Sequence, residues 1–192
     1  MEDIVLVGFG GHAKSVADCV ERQNEYNIAG YTDRQDNHSN YKYLGTDDNL
    51  EELFNLGIKN AVICIGFLGK GDIREKLYCR LKEIGFNLPS VIDPTAIVAH
   101  SAIVSEGTFI GKNAIINAEA TLGCCCIINT GAVVEHECVV GDFSHIAVSS
   151  ILCGQVRVGK ACLIGANATI IQCITIPDKT IISAGEVVRK KQ

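Results

Sequence analysis

Val98-Ala99-His100-Ser101-Ala102-Ile103-Val104-Ser105-Glu106-Gly107-Thr108-Phe109-Ile110 opens a run in which every sixth residue is Val, Ile or Leu, from Val98, Val104 and Ile110 through to Ile182 and Val188. A six-residue period fits neither a helical stripe nor strand alternation; it is the signature of a β-helix whose short strands turn a corner once per repeat. A second rail runs four residues behind the first, through Ala102, Thr108, Ala114, Ala120, Cys126, Ala132, Cys138, Ser144, Ser150, Val156, Cys162, Ala168 and Ile174. Three short faces meeting around a narrow axis leave room for one branched side chain per repeat, so the other inward position stays mostly small. Gly111, Gly123, Gly141, Gly159 and Gly165 directly follow ladder residues, with Asn117 and Asn129 at equivalent places. These residue types tolerate φ > 0, and they are expected to supply the left-handed backbone at the corners. Three repeats make one coil, so residues eighteen apart should stack. An ordinary β-sandwich would instead show period two at irregular spacing.

With 17 basic and 22 acidic residues among 192, the chain carries a net charge of −5 and offers no electrostatic reason to bind nucleic acid or an anionic membrane surface. The apolar run Ile4 to Val7 is too short for a signal peptide and lacks a basic flank, and no later run approaches membrane-spanning length. The expectation is a cytoplasmic protein. Its ten cysteines include the triplet Cys124, Cys125 and Cys126, but consecutive strand residues point to alternate sides, and no Cys-x-x-Cys pair occurs. Cys126, Cys138 and Cys162 fall on the small rail, so reduced packing residues are expected rather than a metal site or disulfide framework.

The first 92 residues follow a different grammar. Ile4 to Val7 reads as a strand running into Gly8-Phe9-Gly10-Gly11-His12, followed by a helix from Ala13 to about Asn24. A second strand spans Ile28 to Tyr31 and ends at Asp33. Thr46-Asp47 caps a short helix over Leu50, Leu53 and Phe54; Ala61 to Ile65 is a continuously apolar strand, and Ile73, Leu77, Leu81 and Ile84 recur at helical spacing. The alternation predicts a Rossmann-like parallel α/β sheet over residues 1–92, followed by the parallel β-helix over 93–192. The crevice at the strand ends collects Gly10, Gly11, His12, Asp33 and Gly66. A glycine turn before a helix suits a diphosphate, or is simply a tight connection. Lys14 and Ala13 stand where the dinucleotide fingerprint seeks its third glycine, which disfavours hydride transfer.

From about residue 94 to 188 the repeats resemble the left-handed β-helix acyltransferases of the hexapeptide-repeat family. That resemblance implies a homotrimer holding acyl-coenzyme A in a groove between neighbouring prisms. The opening Gly8-Phe9-Gly10-Gly11-His12-Ala13-Lys14 followed by such repeats is similar to the bacterial sugar acetyltransferases, including the sialic acid O-acetyltransferase group and the UDP-4-amino-sugar N-acetyltransferases. By that likeness Gly10, Gly11, His12 and Asp33 would contact the nucleotide. Gly66 lies at a comparable loop, and Arg74 is a further candidate beside its plainer reading as a solvated helix residue.

Acyl transfer needs a base for the attacking nucleophile and a donor for the developing oxyanion. The stretch Asn129-Thr130-Gly131-Ala132-Val133-Val134-Glu135-His136-Glu137-Cys138 holds an imidazole two residues past a ladder position, where its side chain should emerge near a corner. A lone surface histidine is ordinarily just solvated. Val134-Glu135-His136-Glu137-Cys138 and Gly141-Asp142-Phe143-Ser144-His145 resemble the catalytic stretch of the UDP-4-amino-sugar N-acetyltransferases. The resemblance makes His136 the general base, Glu137 its partner and Asn129 a sugar-positioning residue. It also places His145, Gly154, Ala166 and Ala184 around acetyl-coenzyme A. His100 lies two coils before His136, about 10 Å away at one strand spacing per coil, too far to share a metal ion within one chain. Arg189, Lys190 and Lys191 can be read either as contacts for the coenzyme's 3′-phosphate or as a solvated tail. Relatives commonly finish with a further strand and a Gly-x-Pro-Ala-Lys-like tail, whereas this sequence stops at Gln192.

The resulting expectation is a metal-free, acetyl-CoA-dependent N-acetyltransferase acting on a UDP-linked 4-amino-4,6-dideoxy sugar by direct transfer, as a homotrimer with active sites between subunits. O-acetylation of sialic acid would use the same histidine. An inactive nucleotide-sugar sensor or assembly scaffold is the reading from another class.

Overall fold

A computed structural model describes residues 1–66 and 72–189; Lys190 and Lys191 lie outside the described residues. The N-terminal unit alternates β1 (Glu2–Val7), α1 (Gly11–Gln23), β2 (Tyr26–Thr32), α2 (Leu50–Asn55), β3 (Asn60–Ile63) and α3 (Asp72–Ile84). Its three strands are all parallel in the order β2-β1-β3, so β1 is central and its C-terminal end opens between two outgoing loops. Ile4, Val5, Leu6 and Val7 are fully buried because both faces of the sheet are covered. Thr46 caps the turn before α2 as expected, its hydroxyl accepting the Asp48 N–H.

From β4 (Val91–Ile92) to β20 (Val187–Val188) the chain forms two-residue strands whose second residue is always a ladder position. Ile92 is one further rung, six residues before Val98. The strands stack into three parallel sheets of six, six and five. The first face runs from Val91–Ile92 to Ile181–Ile182, the second from Ile97–Val98 to Val187–Val188, and the third from Ile103–Val104 to Thr175–Ile176. Registers pair residues eighteen apart, such as Ile128 with Ile146 and Val134 with Leu152. The ladder from Ile110 to Ile182 and the small rail from Ala114 to Ile174 are buried together as one core.

The rail's polar members explain its cysteines. Thr108 Oγ1 donates to Gly123 O at 2.8 Å, Ser144 Oγ to Gly159 O at 2.7 Å, Cys126 Sγ to Gly141 O at 3.3 Å and Cys162 Sγ to Pro177 O at 3.0 Å. Each hydroxyl or thiol therefore satisfies a corner carbonyl fifteen residues on, which an alanine cannot do. Cys124 and Cys125 turn a corner rather than lying on a strand, and all ten cysteines are free.

The glycine reading needs correction. Left-handed backbone falls three residues after the ladder position, at Asn113, Glu119, Cys125, Glu137, Phe143, Gln155 and Cys173 among others, and mostly without glycine. Gly123, Gly141, Gly159 and Gly165 serve close approach instead. A Cβ on Gly141 would sit 2.7 Å from the Gly159 carbonyl carbon, and one on Gly165 2.5 Å from Ala184 N. The stacked coil, not the φ angle, selects glycine there.

The N-terminal unit sits on the first face. Val91, Phe109 and Ile127, which point outward from that face, pack with Phe9, Ala13, Val16 and Val20 in one buried cluster. Lys112 pairs with Asp18, Arg22 with Asp93, and Lys82 with Glu106 across the same junction. The second face keeps an uncovered apolar column, with Ile97 at 64%, Ile151 at 38% and Val187 at 46% exposure. Among the described residues no helix is long and apolar enough to cross a membrane.

Candidate active site

The turn from β1 to α1 leaves the N-terminus of that helix without a side-chain cap. Gly8 takes φ +88°, and a Cβ there would lie 2.7 Å from Ile65 Cγ1, so the tight turn requires glycine. Gly10 is the N-cap of α1 and makes no side-chain cap bond, and the first turn carries no acidic residue. A Cβ on Gly10 or Gly11 would meet nothing within 4 Å. Gly10 and Gly11 border a cavity of about 710 Å³ also lined by Lys14, Asn37, Ser39 and Tyr41 and by the carboxylates Asp18 and Glu21. The positive end of the helix dipole and Lys14 suit an anion such as phosphate, while Asp18 is paired with Lys112 and Glu21 accepts the Tyr41 hydroxyl. Asp33 stands behind this turn. Its Oδ2 accepts the Phe9 N–H at 2.9 Å and Asn37 Nδ2 at 2.8 Å, and its Oδ1 accepts the Arg34 N–H at 2.7 Å. Asn37 escaped the sequence reading because its loop has no periodic pattern.

His12, Arg74, Asn129 and His145 meet elsewhere, under the N-terminal unit on the first face. The His12 ring sits edge-on to Phe109 with centroids 5.1 Å apart. Arg74 is 5% exposed, and its guanidinium donates to Phe143 O at 3.1 Å and to Cys125 O, two carbonyls of successive coils. The solvated reading of Arg74 is therefore replaced by an anchor between α3 and the prism. Asn129 Nδ2 approaches His145 Nε2 at 3.4 Å. Burial first, then the charges of His145 and Arg74, push His12 down to about 3, and burial followed by Arg74 pushes His145 down to about 4. His12 Nε2, Arg74 Nε and His145 Nδ1 have no hydrogen-bond partner among the described residues. Gly66 closes this side, with His12 Cβ at 3.7 Å from where its own Cβ would be.

His136 and Glu137 occupy the corner after the second-face strand Val133–Val134. Glu137 Oε2 lies 3.1 Å from His136 Nδ1, while 55% of the histidine side chain and 47% of the glutamate side chain remain exposed. A carboxylate on Nδ1 fixes the tautomer with its proton there and leaves Nε2 as the basic nitrogen. The ring lies over Gly154 one coil on, where a Cβ would stand 2.5 Å from Nε2. Gln155, also one coil on from Glu137, donates from Nε2 to Glu137 Oε2 at 3.0 Å. The Gln155 amide, then His136, hold the Glu137 carboxyl below the usual carboxylate range. Gln155 was not singled out from the sequence, although its spacing of eighteen from Glu137 was a readable signal.

Ala166 and Ala184 stack on a different edge, the one after the first face, with the Gly185 N–H donating to Ala166 O at 2.8 Å. One face of the prism separates them from His136 within a single chain. His100 lies two coils below His136 on the latter's edge. Among the described residues no group of three or more His, Cys, Asp or Glu is placed to hold a metal ion.

The sequence matches the family model described as the PglD N-terminal domain over residues 3–81. It is 33% identical over 115 residues to the UDP-N-acetylbacillosamine N-acetyltransferase of Bacillus subtilis. That match covers 57% of the chain and 51%, about half, of the relative's length. Among solved structures, a single-histidine variant of GDP-perosamine N-acetyltransferase from Caulobacter crescentus, in complex with CoA and GDP-perosamine, superposes with a TM-score of 0.94 at 33% identity, covering 100% of this chain and 90% of that one. The acetyltransferase domain of PglB from Neisseria gonorrhoeae, in complex with acetyl-CoA, superposes with a TM-score of 0.87 at 27% identity, covering 97% and 92%.

Proposed function

The chain belongs to the hexapeptide-repeat sugar acetyltransferases, and on that footing we propose that it transfers the acetyl group of acetyl-CoA to the 4-amino group of a UDP-linked 4-amino-4,6-dideoxy sugar in bacterial glycan biosynthesis. The observation that carries this reading is the His136 imidazole, tethered through Nδ1 to Glu137 at 3.1 Å with Nε2 above Gly154. In the proposed reaction Nε2 takes a proton as the amine attacks the thioester carbonyl, Glu137 stabilises the imidazolium, and the coenzyme departs as its thiol once protonated. Transfer is direct, and the rail cysteines, already engaged with carbonyls, take no part.

The nucleotide diphosphate belongs, in this reading, at Gly10 and Gly11, where the helix N-terminus is uncapped. Asp33 with Asn37 holds that turn in shape. Asn129 then marks the acceptor's path along the first face, and His145, Gly154, Ala166 and Ala184 the coenzyme's. Because Ala166 and Ala184 occupy one edge of the prism and His136 another, the two sets come together most simply between protomers. The exposed column Ile97, Ile151 and Val187 supports the same arrangement, since an apolar sheet face of that length is normally buried. The working unit is accordingly a homotrimer with its active sites between subunits, acting in the cytoplasm where acetyl-CoA is made available.

The test is thiol release from acetyl-CoA in the presence of UDP-4-amino-4,6-dideoxy sugars, a GDP-linked 4-amino sugar, sialic acid and UDP-N-acetylglucosamine. Release with the UDP-amino sugars and not with the hydroxyl acceptors is the expected result. Release only with sialic acid would favour O-acetylation, and release with none would favour a scaffold. A second prediction concerns Gly154. Gly154→Ala is expected to displace the ring and lower kcat by about 10- to 100-fold, as a 1 Å misplacement does; steady-state kinetics at saturating substrates check it, together with an unchanged melting temperature.

A further inference from the structure

Glu137 is one rung of a column. Positions eighteen apart on this edge are Glu119, Glu137, Gln155 and Cys173, all in the left-handed conformation with φ between 57° and 61°. Sharing that backbone, they project alike from successive coils. Above the catalytic pair the column is hydrogen-bonded throughout: Cys173 Sγ donates to Gln155 Oε1 at 3.2 Å, Gln155 Nε2 donates to Glu137 Oε2 at 3.0 Å, and the same Oε2 faces His136 Nδ1 at 3.1 Å. Arg157 and Thr175 line the groove beside it.

Building on the proposed role of His136 as base, we infer that Gln155 is a positioning residue that aims the Glu137 carboxylate at the imidazole, with the Cys173 thiol fixing which end of the Gln155 amide faces Glu137. The chemistry requires an amide at this place. A carboxylate accepts hydrogen bonds and a flexible glutamate has several rotamers, so a donor on its far side holds it against the ring. An amide has two unlike ends, and a donor that engages the oxygen turns the NH₂ toward the carboxylate. The depressed titration of Glu137, whose first cause is Gln155, agrees with that geometry. The other charged groups around the pair are Glu119 one coil below, Glu135 beside it, where its carboxylate accepts the His136 N–H and Asn117 Nδ2, and Arg157 across the groove. None of these is hydrogen-bonded to the Glu137 carboxylate.

The test compares Gln155→Met and Gln155→Glu with the wild type and with His136→Ala, reading kcat, both KM values and the pH dependence of kcat. Gln155 is exposed and shares its left-handed backbone with Glu119 and Glu137, and the melting temperature serves as the control for folding. Gln155→Met frees the carboxylate, weakens its hold on the imidazolium, and is expected to lower kcat about 5- to 30-fold with KM within twofold, moving the ascending limb to lower pH. Gln155→Glu adds negative charge and is expected to move that limb to higher pH. Cys173→Ser should stay near wild type, and Cys173→Ala should lose about two- to threefold in kcat. Wild-type kcat and an unmoved limb in both Gln155 variants would overturn the positioning role while His136→Ala remains inactive; activity surviving in His136→Ala would instead overturn the assignment of the base.

Discussion

His136→Ala is expected to lower kcat for acetyl transfer by between about a hundredfold and ten-thousandfold, the range that a positioned general base supplies. The loss should fall on kcat, because the imidazole acts on a proton that moves only as the bond forms. Both KM values should change little. The ascending limb of kcat against pH, which reports the base becoming neutral, should disappear with the ring. Assembly should survive, since the side chain is 55% exposed and fills none of the core. A variant that turns over at the wild-type rate would remove His136 from the reaction.

The second large effect is on stability. His12 and His145 are neutral in the folded chain, titrating at about 3 and about 4, against an ordinary value of about 6.5. A depressed value means that the unfolded chain binds protons that the folded chain refuses. The stabilisation is therefore fully present above about pH 6.5 and is lost as pH falls toward the folded values. Each depressed unit corresponds to about 1.4 kcal/mol, so several kcal/mol should be lost between pH 6.5 and 4. Urea unfolding followed across that window should show a slope approaching two protons, and the double variant His12→Gln with His145→Gln should flatten it. Stability that stays level down to pH 4.5 in the native chain would mean that these rings are solvated.

The coil and its rails were legible because burial in a narrow prism repeats every six residues and leaves no freedom at the inward positions. What glycine does in the coil was not legible, because one residue type answers two different demands. Gly141 and Gly165 make room for the next coil, while Glu137 and Gln155 absorb the left-handed backbone that the corner imposes. The strand and helix order of the first unit followed from apolar runs and from Thr46. The junction did not, since His12 and His145 lie far apart in the chain and meet only because Phe109 and Ile127 turn outward to receive α1. Arg74 reads in sequence either as a nucleotide-site candidate or as a solvated helix residue, and only the docking of α3 against Cys125 and Phe143 shows it to be an anchor. His136 and Glu137 were found through a resemblance, and geometry then gave them a tautomer and a floor at Gly154.

The most direct test of the account is a crystal structure with CoA and a UDP-4-amino-4,6-dideoxy sugar bound together. The account predicts the sugar's amine about 3 Å from His136 Nε2, on the side facing the coenzyme sulfur, in a cleft closed by a second protomer. An amine more than about 6 Å from that nitrogen, beyond reach even through one water, or an imidazole facing solvent outside any intersubunit cleft, would contradict it.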